Sequence, residues 1–151
     1  MAKLSRSIEI EAPVEKVFDF AADIGKFWTS WPEEVAVRDV ELKPDGVGTS
    51  ARLFTHFLAI HMEGTMEYTE FVPNERIVAK THFFGESPTW VFTFEPADGG
   101  TKMTAEGEWH VKVPAVGKRL EGMMAKGHDE GLESLLATVK SRVEAEVTAS
   151  V

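Results

Sequence analysis

The stretch PAVGKRLEGMMAKGHDEGLESLLATVKSRVEAE, Pro114 to Glu146, decides the fold. Pro114 suits the first turn of a helix, where its missing N–H would have no partner anyway. Apolar residues then recur at helical spacing, at Val116, Leu120, Met124, Leu135 and Val139, flanked by Leu132, Leu136 and Val143. At ~100° per residue these form one stripe about half the circumference wide. Lys118, Arg119, Lys126, Asp129, Glu130, Glu133 and Lys140 fall on the opposite side. The stripe changes character along its length. Its C-terminal half is ordinary packing material. Its N-terminal half holds Gly117, Glu121, Met124, Gly127, His128 and Gly131. Each glycine costs a helix roughly 1 kcal/mol relative to alanine. A face of glycine, methionine and one histidine packs poorly as a core and reads better as one wall of a cavity.

Outward from this helix the period drops to two. Strands are expected over Lys3–Glu11, Val35–Lys43, Thr49–Leu58, His61–Phe71, Arg76–Phe84, Thr89–Glu95 and Thr101–Lys112. Pro44-Asp45-Gly46, Val72-Pro73-Asn74-Glu75 and Asp98-Gly99-Gly100 punctuate them as turns. Between the first two strands, Val14–Ala22 sets Val14, Val17, Phe18 and Ala21 on one helical face. Asp23 reads as the N-cap of a second short helix running to about Ser30. Consecutive strands joined by short turns imply an antiparallel sheet. Its apolar face must be covered, and only the long helix looks large enough to do so.

The 151 residues make one domain, 1–151, the expectation, with 43% hydrophobic residues to build a core. There is no cysteine, so disulfides and thiolate chemistry are excluded. No apolar run follows Met1-Ala2-Lys3 and no stretch of about 18 apolar residues exists. A cytoplasmic protein without membrane insertion is expected. The net charge of −9 opposes nucleic acid as a partner.

The stretch SIEIEAPVEKVFDFAADIGKFWTSWPE from Ser7, the turn from Phe71 to Ile77, the hairpin from Asp98 to Thr104 and the C-terminal helix together carry a resemblance. The chain resembles the START-related SRPBCC superfamily, in particular its polyketide cyclase/dehydrase-like branch, whose fold the birch pollen allergen and StAR-type lipid-transfer domains share. The resemblance spans nearly the whole chain. It implies an α+β helix-grip: a curved seven-stranded antiparallel sheet wrapped around the long C-terminal helix, with two short helices between strands one and two. It also implies a hydrophobic pocket between sheet and helix, in agreement with the cavity read from the helix face. It says little about activity, since only some members are enzymes.

Inward-facing residues then become candidates for the pocket lining: Met62, Met66, Tyr68, Phe83, Trp90, Phe92 and Trp109 from the sheet, Met124 and His128 from the helix. The bland reading is that they fill a solid core. Gly64, Gly107, Gly127 and Gly131 favour the pocket by leaving space on these surfaces. His128 is either a polar contact or proton carrier for a ligand, or a core histidine satisfied by Tyr68 or a backbone carbonyl. Glu121 belongs near the mouth, paired with an arginine such as Arg52 or solvated. Trp28 either edges the pocket entrance or anchors its helix; Trp31 reads as structural.

No metal or cofactor is expected. His56, His61, His82 and His110 lack convergent ligand spacing. Gly46-x-Gly48-x-x-Ala51 precedes a strand rather than a helix, which is wrong for a dinucleotide. No GxSxG elbow exists. The leading expectation is a monomer or homodimer that binds a small hydrophobic molecule: aromatic, polyketide-like, isoprenoid or lipid. His128, Tyr68 and Arg52 would set its orientation. A cyclase/dehydrase-type enzyme moving protons through His128, with Tyr68 as a carbonyl partner, is the alternative. A chaperone-activator-like interaction module is the third.

Overall fold

The computed structural model describes the backbone of residues 2–32, 35–57, 60–83, 87–109 and 117–149, and their side chains except at 2, 57, 60 and 117–125. The alternation of Leu4, Ile8 and Ile10 builds strand β1, Ala2–Ile10. Helix α1, Val14–Ala22, buries Val17, Phe18, Phe20 and Ala21. The Asp23 carboxylate accepts the backbone N–H of Lys26 at 3.1 Å and so caps α2, Ile24–Phe27. A 3-10 turn, Trp28–Ser30, follows. Six strands come next: β2 (Ala36–Glu41), β3 (Ser50–Phe57), β4 (Ile60–Val72), β5 (Arg76–His82), β6 (Thr89–Ala97) and β7 (Gly100–Trp109). The long helix α3 spans Gly117–Ala149, past the expected end at Glu146. The expected end of the last strand at Lys112 and the helix start at Pro114 lie outside the described residues.

The seven strands form one antiparallel sheet in the order β1-β7-β6-β5-β4-β3-β2. The first and last strands therefore pair, from Ala2 opposite Trp109 to Ile10 opposite Thr101. Strands consecutive in the chain make the other neighbours; Asp98-Gly99 turns β6 into β7, with Gly99 at φ +76°, a region that suits glycine. In β4 the register shifts between Tyr68 and Glu70. That shift changes the parity of the strand and brings the Phe71 ring to 5.8 Å from Tyr68.

α3 lays Leu132, Leu135, Leu136, Val139 and Val143 into the core, each fully buried. It does not cover the sheet alone, as the sequence suggested. Phe18 of α1 packs edge-on to Phe71 and Phe94, and Phe27 of α2 edge-on to Phe92. Polar contacts along β1 set the rotation of α3. The Arg6 guanidinium grips Asp129 with two hydrogen bonds, of 2.8 and 2.7 Å. Lys140 donates to the Glu9 carbonyl at 2.9 Å, and Glu144 accepts the Glu11 N–H at 2.8 Å. The Arg6 hydrogen bonds hold the Asp129 carboxyl below its ordinary pKa; Lys140 first, then the Glu11 N–H, do the same for Glu144. Such exposed pairs stabilise little; they fix which way the residues beside them point, and His128 is next to Asp129.

Candidate functional site

The inner face of β6 presents Trp90, Phe92 and Phe94, and that of β7 presents Met103, Ala105, Gly107 and Trp109. Gly107 stands opposite Trp90 in register, and the indole occupies the space a side chain would take. A Cβ at 107 would come within 2.4 Å of Trp90 Cζ3. On β4, Gly64 is covered in the same way by the Phe83 ring, 2.5 Å from where its Cβ would be. These two glycines therefore admit neighbouring rings and leave no cavity, contrary to the reading from sequence. Gly127 is exposed, with nothing near it, so its space is on the outside; Gly131 is buried.

His128 meets this aromatic wall directly. Its ring stands edge-on to Trp109, centroids 4.6 Å apart, and to Trp90 at 5.3 Å. The wall continues through the 3-10 turn. Trp31 lies 5.0 Å from Trp90, and Trp28 stacks on Trp31 at 6.3 Å. The Trp28 indole N–H donates to the Tyr68 hydroxyl at 3.3 Å. Trp28 is only 3% exposed, in the anchoring position rather than at a rim. Burial is the main reason the Tyr68 phenol is pushed up to about 12, opposed in part by the Trp28 hydrogen bond.

Cover over the inner face is uneven. Met66, Tyr68, Phe92 and Trp109 are fully buried. Met62 and Phe83, at the end of the sheet where His128 approaches, are half-buried, as is His128. Two polar hydrogens within the wall lack partners among the described residues: neither the Trp31 nor the Trp109 indole N–H has an acceptor there. A buried donor left so costs about 1–3 kcal/mol.

Of the sequence candidates, Trp90, Trp109 and His128 come together, and Tyr68, Phe92 and Trp28 adjoin them. Met62, Met66 and Phe83 line the neighbouring inner face of β4 and β5. The side chains of Met124 and Glu121 lie outside the described residues, as does His110. Arg52 is on the outer face, ion-paired with Asp39 at 3.2 Å and with Glu63, so it orients nothing inside. The error has a simple source: Arg52 alternates with buried Ala51 and Leu53. His56 and His61 are an exposed cross-strand pair with ring centroids 4.2 Å apart. Trp31, read as merely structural, belongs to the wall; no spacing rule could have linked it to Trp90. Among the described residues no helix is long and apolar enough to cross a membrane.

Residues 1–144 match the family described as polyketide cyclase/dehydrase and lipid transport. No curated protein sequence matches significantly. Among solved structures, TTHA0849 from Thermus thermophilus superposes with a TM-score of 0.78 at 22% identity, over 96% of this chain and 99% of that one. Ms6760 from Mycobacterium smegmatis gives 0.70 at 25% identity, over 99% and 92%. The di-domain ARO/CYC protein StfQ from the steffimycin biosynthetic pathway gives 0.80 at 15% identity, over 99% of this chain and 52% of that one.

Proposed function

As the chain belongs to the polyketide cyclase/dehydrase and lipid transport family, we propose that it binds a small hydrophobic molecule between the inner face of the sheet and the N-terminal half of α3. The ligand class is aromatic, polyketide-like, isoprenoid or lipid. The observation that carries this reading is the half-burial of apolar Met62 and Phe83 beside the contact of His128 with Trp90 and Trp109. Apolar walls supply most of the affinity and a few polar groups the orientation. Tyr68 offers this site a neutral hydroxyl that accepts from the Trp28 indole.

Native mass spectrometry of freshly purified protein, with organic extraction, tests the proposal. A reproducible small molecule near one per chain is expected, and His128→Gln should weaken its retention while leaving the fold intact. An empty protein whose tryptophan fluorescence ignores a panel of apolar compounds would refute it and favour a solid core.

A further inference from the structure

Along the aromatic wall, buried polar hydrogens stand without an acceptor among the described residues. The indole N–H groups of Trp31 and Trp109 meet no acceptor among the described residues, on side chains of residues only 8% and 2% exposed. Tyr68 accepts the Trp28 proton, and its own hydroxyl proton finds no acceptor among the described residues. The rings carrying these groups are continuous: Trp31 touches Trp90, Trp90 touches His128, and His128 touches Trp109. In the unfolded chain water satisfies each indole, so folding leaves two donors with a standing deficit that a ligand oxygen can make good.

Resting on the pocket reading above, we infer that Trp31 and Trp109 select an occupant that presents neutral acceptor oxygens, of the conjugated ketone or quinone kind. A hydrocarbon or acyl chain leaves both donors unsatisfied. A carboxylate needs a cation, and among the described residues no lysine or arginine is buried. A flat conjugated carbonyl compound meets the aromatic faces and the N–H groups together.

Fluorene and 9-fluorenone have nearly the same shape and differ by one carbonyl. Their affinities, measured by calorimetry on the intact chain, separate the two readings. The four tryptophans also give four indole N–H resonances in protein labelled with 15N-tryptophan, assignable through Trp31→Phe and Trp109→Phe. Fluorenone should bind about tenfold more tightly than fluorene or better. It should move the Trp31 or Trp109 indole resonance downfield and slow its exchange, while Trp28, already bonded to Tyr68, moves little. The preference should shrink toward unity in the variant that removes the responding indole. If that variant does not fold, the wild-type spectrum decides alone. Equal binding of both compounds with no indole shift overturns the acceptor rule and leaves the pocket standing. Binding of neither overturns the pocket reading itself.

Discussion

Tyr68 is the only tyrosine in the chain, so its ionisation can be followed without interference from another phenol. In the folded protein burial holds its proton to about 12; in the unfolded chain an ordinary tyrosine releases it near 10. Below pH 10 the phenol is neutral in both states and ionisation contributes no pH dependence. Above pH 10 the unfolded chain ionises first, so stability falls as pH rises, and by pH 12 the loss from this one group reaches about 2.3 kcal/mol. Lysines titrate in the same range, which makes Tyr68→Phe the necessary reference. At pH 8 the variant should be less stable than wild type by about 1–3 kcal/mol, because the Trp28 indole loses its acceptor. That gap should close, or invert, between pH 10 and 12. Tyrosinate absorbance near 295 nm gives the midpoint, and denaturant unfolding at several pH values gives the gap. A midpoint near 10 in folded protein, or a gap that does not change with pH, would refute the buried Tyr68–Trp28 arrangement.

Two further substitutions separate the aromatic wall from the core beneath α3. Gly107→Ala forces a Cβ to within 2.4 Å of Trp90 unless the indole moves. It should cost about 1–3 kcal/mol and alter the near-ultraviolet circular dichroism; an unchanged spectrum and melting temperature would show that Trp90 does not rest on this glycine. Leu135→Ala, at a fully buried position remote from His128 in the helix, should cost about 2–5 kcal/mol while the surviving folded protein keeps its ligand response. A loss of that response at temperatures where the variant is folded would mean that the two halves of the helix are not independent.

Several elements could be read from residue order because their causes are local. The two-residue period of Met62, Gly64, Met66 and Tyr68 reports one face of a strand, and that face is inside, with Met66 and Tyr68 fully buried. Asp23 caps a helix whose first turn is its immediate neighbour, and Asp98-Gly99-Gly100 supplies the backbone freedom its own turn requires. The apolar spacing from Leu132 to Val143 likewise marks the face that α3 buries. Periodicity identifies a face, however, and does not say what meets it. The pairing of β1 with β7, the Arg6 grip on Asp129 and the approach of His128 to Trp109 join segments far apart in the chain. Whether a glycine opens a cavity or seats a ring depends on a neighbouring side chain, and Trp90 and Phe83 occupy the spaces at Gly107 and Gly64. A donor's lack of an acceptor is a property of everything packed around it. The unsatisfied indoles of Trp31 and Trp109 therefore exist only once the sheet, the 3-10 turn and α3 have come together.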